Sequence, residues 1–328
     1  MTFTADDWPI AAALLQFPGT TDRGPVQDAP AAAWVDAFTE LHEAGFDDVD
    51  LTDSWVRIGD LSDTRLQEFG EALRTAGVRA PSVSAIRRSV IDARHGDENL
   101  AYSHRTIDAA AALGCSVVSV GLHQALTPAQ QEQLWFWTVE GHHDPTDDRE
   151  TWDTAVRRLR ELGQHAADVG LLLSLEMYED TYLGTADSSV RLVEDIGLRE
   201  VGLNPDIGNL VRLHRPIESW REIAEKTLPY ANFWHVKNYY RDEDRARDLY
   251  VAMPAPMEFG IISYREAFRI AIDAGFQGVL CCEHYGGDGL SVSATNQDYL
   301  RRHVLPKHSG YSLGTSRVAQ GSPKDGAQ

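Results

Sequence analysis

Short apolar runs alternate along the chain with segments whose apolar residues recur at helical spacing. Each run has the length of a buried parallel strand. The eight predicted strands are Ile10–Leu15, Val49–Leu51, Val78–Ile86, Cys115–Gly121, Leu171–Glu176, Val201–Asp206, Ala231–His235 and Gly278–Glu283. Such alternation predicts βαβ units around a parallel sheet. Eight repeats favour the α/β class and a closed (β/α)8 TIM barrel over a doubly wound sheet.

The segments between the strands predict eight helices, the last from about Ser293 to His303. We assign residues 1–307 to one barrel domain. Residues 308–328 are rich in Ser, Gly, Lys and Gln and predict a flexible C-terminal tail. Two long loops follow strands 4 and 7, at roughly 127–149 and 239–262. Long loops at the active rim of a barrel are typical of lids and substrate walls.

The last four predicted strands each end in a potential metal ligand, namely Glu176, Asp206, His235 and Glu283. Side chains at the carboxyl ends of barrel strands share one rim, so these four should converge. A single acidic residue after a strand is more often a helix cap, but four in succession favour one cation. Three carboxylates and one imidazole suit Mn²⁺, Mg²⁺, Co²⁺ or Zn²⁺, with Mn²⁺ as the first choice.

Composition excludes several other classes of protein. The formal net charge of −20 argues against a nucleic-acid or anionic-membrane partner, because phosphate binding depends on Lys and Arg. Apolar runs stay well short of a membrane span, and three cysteines form no disulfide pattern. We therefore expect a cytoplasmic protein. No Gly-x-Gly-x-x-Gly motif follows the first strand, so a dinucleotide site has no support.

The strand-end motifs resemble those of the xylose-isomerase-like TIM barrels, the sugar phosphate isomerase/epimerase superfamily. They are Leu175-Glu176, Asn204-Pro205-Asp206, His235-Val236-Lys237 and Cys282-Glu283-His284. The resemblance covers the chain from the first strand to about residue 305. It implies that the Glu, Asp, His and Glu bind one divalent metal, commonly manganese, and that the substrate is a sugar.

Comparison with the ketose 3-epimerases of that superfamily implies further substrate-binding positions. Their second acid/base Glu corresponds to Tyr182 here, and a substrate-binding His corresponds to Asn209. An Arg six residues after the metal His is kept as Arg241. We also regard Lys237 and His123 as candidates for contact with the substrate.

Three segments carry a narrower resemblance, namely Glu176-Met177-Tyr178-Glu179-Asp180, the loop with Pro254 and Pro256, and the pair His142-His143. They are similar to the large subunit of bacterial C-glycoside deglycosidases. This resemblance implies a lyase that cleaves the carbon–carbon bond of a 3-oxo-C-glycoside, together with a small β-rich partner subunit in a hetero-oligomer. The alternative is a sugar isomerase or epimerase that acts on a free keto- or aldo-sugar. An endonuclease, as in another branch of the superfamily, conflicts with the net charge, and a non-catalytic barrel conflicts with the four ligands.

Both sugar-directed hypotheses require a base that removes a proton next to a carbonyl group. The pKa of such a base should lie near the working pH, which favours histidine. His142 and His143 in the loop after strand 4 are the predicted catalytic residues, and His123 and His284 are reserves. Adjacent histidines in an acidic loop are also often merely solvated.

Overall fold

The predicted (β/α)8 TIM barrel is confirmed by a computed structural model, which describes residues 2–321. Eight parallel strands form a nearly closed barrel in the order β6-β5-β4-β3-β2-β1-β8-β7. They are β1 (Ile10–Ala13), β2 (Asp48–Thr52), β3 (Arg79–Ala85), β4 (Val117–Val120), β5 (Leu172–Glu176), β6 (Val201–Asn204), β7 (Phe233–Val236) and β8 (Val279–Cys282).

The barrel closes between β6 and β7 through a short contact. Leu203 forms a parallel bridge with Ala231, and the backbone N–H of Asn232 donates to the carbonyl of Leu203 at 3.2 Å. Further along, the side-chain oxygen Oδ1 of Asn204 accepts from the backbone N–H of His235 at 2.7 Å. A side chain thus replaces a backbone partner at the closing seam and fixes the position of His235.

Eight helices surround the strands, as predicted. They are α1 (Ala31–Glu43), α2 (Asp63–Ala76), α3 (Gly96–Leu113), α4 (Arg149–Asp168), α5 (Ala186–Ile196), α6 (Trp220–Thr227), α7 (Tyr264–Asp273) and α8 (Gly289–Tyr299). The last helix begins earlier than predicted because the side chain of Asp288 caps it by accepting from the N–H of Ser291. Within residues 2–321, no helix combines the length and the hydropathy needed to cross a membrane.

The barrel interior has an apolar floor and a polar upper layer. Small and apolar side chains fill the floor, namely Ala11, Ala13, Val117, Phe233, Val279 and Cys281. Two residues beyond Val117 and Phe233, the buried side chains on β4 and β7 are the polar Ser119 and His235. The other strands contribute further buried polar side chains, namely Asp50, Ser82, Ser84, Ser174 and Asn204. The spacing on β4 and β7 is the period of two expected of strands. It carries the polar layer towards the carboxyl ends of the strands.

Both predicted long loops are present at that end of the barrel. The loop after β4 contains a short α-helix, Pro128–Gln131, and a 3-10 turn, Phe136–Thr138. The loop after β7 contains an antiparallel hairpin of Asn238–Asp244 and Leu249–Ala255. The indole N–H of Trp137 donates to the carbonyl of Ala252 at 3.4 Å. The two loops therefore meet over the barrel mouth.

The segment from 308 to 321 packs against the barrel, in contrast to the flexible tail that the sequence predicts. Its backbone N–H groups at Gly314, Arg317 and Ala319 donate to the carbonyls of Ile272 in the last turn of α7, Pro229 before β7 and Arg199 before β6. Val318 is buried. Polar side chains of the segment bond the barrel as well: the Gln320 side chain donates to the carbonyl of Ala231 at 2.7 Å, and the hydroxyl of Tyr311 donates to the carbonyl of Phe3 at 2.9 Å. Residues 322–328 of the predicted tail lie outside the described residues.

Candidate active site

The four predicted metal ligands converge at the carboxyl ends of β5 to β8. All four side chains are buried. Nδ1 of His235 lies 3.1 Å from Oε2 of Glu283 and 3.8 Å from Oδ2 of Asp206. One ligand atom from each of Glu176, Asp206 and His235 lies within 4.8 Å of the others. The sequence reasoning therefore identified side chains that the fold brings together.

Lys237 lies inside this cluster. Its Nζ is 2.7 Å from Oδ2 of Asp206 and 2.8 Å from Oε1 of Glu283, and the side chain is buried. Burial opposes the charge of Lys237, but Asp206 and Glu283 raise its pKa well above the usual value. Burial likewise opposes ionisation of Glu283, yet Lys237 and His235 lower the pKa of that carboxyl. Lys237 is therefore a charged partner of the ligand set.

The cluster retains unmet negative charge. Within residues 2–321, the buried atoms Nδ1 of His235 and Oδ2 of Asp206 contact charged groups of the cluster itself. Burial raises the pKa of Glu176 to about 7; Asp206 and Glu283 add to that increase, and His235 opposes it. Buried carboxylates require a cation or protons. Three carboxylates and one imidazole nitrogen fit a hard divalent cation.

A second group of residues contacts His235 on the side of its ring that faces away from the carboxylates. The sequence did not predict this group. Nε2 of His235 lies 3.3 Å from Oγ of Ser84 and 3.6 Å from Oδ2 of Asp50. The hydroxyl of Ser82 donates to Oδ1 of Asp50 at 2.6 Å. This leaves Nδ1 of His235 facing the carboxylates. The one available signal in the sequence was an acidic residue at an inward position in the middle of a strand.

The side chain of Asn209 contacts Glu176, one of the predicted metal ligands. Its side-chain Nδ2 donates to Oε1 of Glu176 at 3.2 Å and to the carbonyl of Met177 at 3.0 Å. Its backbone N–H also donates to Oδ1 of Asp206 at 3.3 Å, as expected where Asp206 caps the short helix Ile207–Val211. Asn209 therefore orients Glu176, which differs from the substrate contact suggested by the family comparison.

A narrow cleft opens beside the cluster at the ends of β3, β4 and β5. Its walls include Arg87, His123, Gln124, His142, Tyr178, Glu179 and Asp180. The ring of His123 stacks on Tyr178, with the centroids 4.4 Å apart. Burial lowers the pKa of His123 well below its usual value, and Arg87, Arg212 and Lys237 lower it further. His123 is therefore neutral at physiological pH.

A buried arginine supports the wall between the cleft and the metal-ligand candidates. Arg212 donates to both oxygens of Glu179, at 3.1 and 3.2 Å, and to the hydroxyl of Tyr239 at 3.2 Å. Aromatic rings surround its guanidinium, namely Phe136, Trp137, Tyr178 and Tyr285. This arrangement fixes the aromatic side chains of both long loops near the cluster. Nothing in the sequence around Arg212 distinguished it from a surface arginine.

Two residues predicted to contact substrate are engaged elsewhere. The guanidinium of Arg241 donates to the carbonyls of residues 211, 213 and 215, so it fastens the hairpin to the neighbouring loop. The hydroxyl of Tyr182 donates to the carbonyl of Pro145 at 2.8 Å, and its ring packs on Trp152. Residue spacing alone had suggested both roles, but the loop geometry directs these side chains away from the cluster.

The two predicted catalytic histidines lie at the outer edge of the cleft. His142 lines it and is exposed. His143 is also exposed, and its Nδ1 lies 3.6 Å from Oδ1 of Asp180. Of the histidines that the sequence singled out around the cleft, His123 is the one that is buried against it. The reserve His284 is buried as well, next to Glu283.

Comparisons with known proteins agree with this architecture. A family model described as "Xylose isomerase-like TIM barrel" matches residues 38–303. A xylose isomerase-like TIM barrel protein from Mycobacterium smegmatis, solved in complex with magnesium, is 47% identical with a TM-score of 0.87. The match covers 92% of this chain and 97% of that one. No curated protein matches the chain.

More distant solved structures share the fold. A 3-keto-D-glucoside 4-epimerase from E. coli is 15% identical, has a TM-score of 0.62, and covers 90% of this chain and 99% of its own. A D-psicose 3-epimerase with D-tagatose from Clostridium cellulolyticum H10 is 15% identical with a TM-score of 0.63, covering 91% of this chain and 99% of its own. At such identities the likeness concerns the barrel architecture.

Proposed function

Because the chain belongs to the xylose isomerase-like TIM barrel family, we propose that it is a divalent-metal-dependent sugar isomerase or epimerase. The observation that carries this proposal is the convergence of Glu176, Asp206, His235 and Glu283 at the mouth of the barrel. These four side chains would hold one cation, with Mg²⁺ or Mn²⁺ as the first choices. The bound cation would supply Lewis-acid stabilisation of negative charge on substrate oxygens.

The chain's own residues would move the proton. We assign the proton acceptor to His123, whose Nδ1 is buried without a hydrogen bond within residues 2–321. Its lowered pKa keeps it neutral and able to accept a proton. His142 is the alternative at the open edge of the same cleft. Both histidines lie on the side of the cluster where a substrate can enter.

Lys237 would assist from the opposite side. Two of its three ammonium protons point to Asp206 and Glu283, which leaves one for a substrate oxygen. A fixed positive charge here would stabilise an oxyanion as the neighbouring carbon loses its proton. The rings of Trp137, Tyr239 and Tyr285, which surround Lys237 and Arg212, would pack against the carbon–hydrogen face of a sugar.

Carbon–carbon cleavage of a C-glycoside would begin with the same proton removal. The relatives reported above whose names state a sugar reaction are epimerases, which favours isomerisation or epimerisation. The small β-rich partner subunit suggested by the deglycosidase resemblance is expected only under the hypothesis of C-glycoside cleavage. The two hypotheses differ in their products, so one experiment separates them.

The test is solvent hydrogen exchange in D₂O. The chain is stripped with EDTA, reloaded with Mg²⁺ or Mn²⁺, and incubated with D-fructose, D-psicose, D-tagatose, a 3-keto-D-glucoside and a 3-keto-C-glucoside. We expect metal-dependent loss of one carbon-bound proton signal by NMR and appearance of the isomer or epimer. Asp206→Ala, which removes a ligand, serves as the inactive control. Release of free aglycone would favour the lyase, and exchange that survives metal removal would contradict both.

A further inference from the structure

Arg87 follows β3 and has a backbone conformation that is unusual for its type. Its φ of 54° lies in the left-handed region. Three non-glycine residues in the described part of the chain have positive φ, and two of them, Arg87 and Asp180, line the cleft beside the metal-ligand candidates. Such backbone strain persists where the surrounding structure enforces it, and it concentrates at functional sites.

The guanidinium of Arg87 has no acidic partner within residues 2–321. It donates to the carbonyl of Gln124 at 2.9 Å and to the hydroxyl of Tyr178 at 3.2 Å. An arginine carries five N–H donors, so three remain. The two carboxylates of the cleft are already engaged, because Glu179 pairs with Arg212 and Asp180 pairs with Arg215.

The side chain of Arg87 is held in place despite the lack of an acid. Its guanidinium carbon lies 5.2 Å from the ring centroid of Phe136 and 5.4 Å from that of Tyr178. These aromatic contacts orient the cation and leave it partly exposed to the cleft. A positioned guanidinium with free donors matches the geometry of an oxyanion.

His123 provides a second, independent indication that the cleft receives a polar ligand. It is 3% exposed, and its Nδ1 has no hydrogen bond within the described residues. A buried polar atom of this kind calls for a partner. Arg87 and His123 line the same cleft, and both approach the ring of Tyr178. The cleft thus offers one cation and one neutral imidazole.

We propose that this cleft binds an anionic end of the substrate, with Arg87 as its anchor. The inference rests on the proposed function and narrows the substrate class to sugars that carry a carboxylate or phosphate group. The chain's net charge of −20 repels anions at long range. An unpaired arginine beside the metal-ligand candidates offsets that repulsion where the substrate enters.

Binding is measured by isothermal titration calorimetry on the Mg²⁺-loaded chain. The probes are D-fructose, its C6 carboxylate D-fructuronate and its phosphate ester D-fructose 6-phosphate. We expect at least one of the two anionic probes to bind about tenfold or more tightly than D-fructose, as for a hydrogen bond to a charged group. Which of them binds more tightly identifies the preferred anion.

Arg87→Met keeps the length and apolar contacts of the side chain but removes its charge. This variant should lose the tenfold preference for the anionic probe and bind D-fructose within twofold of wild type. Arg87→Lys should retain part of the preference. The control is Arg191→Met on α5, far from the cleft. Arg191 also contacts an aromatic ring, because its guanidinium carbon lies 4.3 Å from the ring centroid of Trp152. Unfolding temperatures establish that each variant is folded.

The proposal is overturned if wild type binds all three sugars equally, or if Arg87→Met weakens neutral and anionic probes by the same factor. Failure of the proposed function gives a different result. If an anionic probe binds through Arg87 but exchanges no proton in D₂O, the isomerase proposal is wrong and the anion subsite stands. If neutral ketoses exchange a proton and no anion preference is found, the isomerase proposal stands and the anion subsite is wrong.

Discussion

Nε2 of His235 lies 3.6 Å from Oδ2 of Asp50, on the side of the imidazole ring that faces away from Asp206 and Glu283. A carboxylate in this position fixes the orientation of a metal-binding histidine and raises its basicity. Ser82 holds the other oxygen of Asp50 at 2.6 Å. The barrel interior thus orients His235 towards the proposed cation.

Asp50→Asn should therefore weaken Mg²⁺ binding by about tenfold without removing any proposed ligand. The measurement is calorimetric titration of the metal-free chain. Asp48→Asn is the matched control, because Asp48 lies on the same strand and pairs with Arg79 at the opposite end of the barrel. That control should change the free energy of unfolding but leave metal affinity within twofold. Equal metal affinity in wild type and Asp50→Asn would contradict the orienting role.

Lys237→Met should separate stability from metal binding. Without the ammonium group, Asp206 and Glu283 are buried without their partner, which costs about 3–5 kcal/mol in the metal-free chain. Added Mg²⁺ should then raise the unfolding temperature more than in wild type, because the cation replaces the lost charge. Proton exchange should fall by at least about a hundredfold.

The control for this variant is Lys226→Met, which removes an exposed ion pair with Asp187 on the outside of the barrel. Its free energy of unfolding should stay close to that of wild type, because an exposed ion pair contributes little to stability. A metal-free Lys237→Met chain as stable as wild type would show that Lys237 does not compensate the carboxylates.

His123→Asn should lower the rate of solvent proton exchange by about a hundredfold or more, as expected when a general base is lost. Separate replacement of His142 and His143 by Asn should leave most of that rate, because both side chains are exposed at the edge of the cleft. Exchange rates by NMR under saturating metal provide the comparison. A larger loss in His142→Asn than in His123→Asn would transfer the role to His142.

The barrel and the convergence of the four metal-ligand candidates could be predicted because each strand, and the residue at its carboxyl end, is visible as a local pattern in the sequence. Each strand carries its own ligand at its carboxyl end, as Glu176 and Glu283 do, and the fold class then places these ends together. The pairing of Asp50 with His235 could not be predicted in the same way. It joins β2 to β7 across the barrel, and no local pattern indicates which inward side chains meet.

Residue spacings taken from the ketose 3-epimerases indicated the positions of side chains less well than the carboxyl ends of the strands did. Arg241 and Tyr182 lie in loops, whose conformation depends on the contacts each loop makes. The backbone carbonyls that surround Arg241 and the carbonyl of Pro145 beside Tyr182 are not encoded at any fixed distance in the sequence. Arg87 was visible as a residue after strand 3, but its lack of an acidic partner required the structure.

The stability of the chain should depend on pH through Asp144. Burial raises the pKa of Asp144 to about 7, even though its carboxylate accepts from the N–H of Tyr182. The native state therefore keeps a proton that the unfolded state releases near its usual pKa of about 3.9. Stability should fall as the pH rises from about 4 to about 7, by up to about 1.4 kcal/mol per pH unit.

Asp144→Asn retains an acceptor for Tyr182 and removes this titration. Its free energy of unfolding in urea, measured from pH 5 to pH 8, should decline less steeply than that of wild type. Asp147→Asn, an exposed position in the same loop, should preserve the wild-type slope. Identical slopes for wild type and Asp144→Asn would show that the carboxyl of Asp144 titrates normally.

Val318 provides a test of whether the segment after residue 307 is part of the barrel domain. It is 4% exposed, and the neighbouring N–H groups of Arg317 and Ala319 bond the carbonyls of Pro229 and Arg199 at 2.9 and 2.7 Å. Val318→Asp buries an unpaired charge and should lower the free energy of unfolding by about 2–4 kcal/mol. Urea unfolding followed by tryptophan fluorescence measures this change.

Thr315→Asp introduces the same charge at an exposed position three residues earlier and should change stability by less than about 0.5 kcal/mol. If both variants are as stable as wild type, the segment contributes nothing to the barrel. If both are equally destabilised, the added negative charge itself acts on a chain that already carries −20. Only a selective effect at Val318 shows that its side chain seals the N-terminal end of the barrel, opposite the candidate active site.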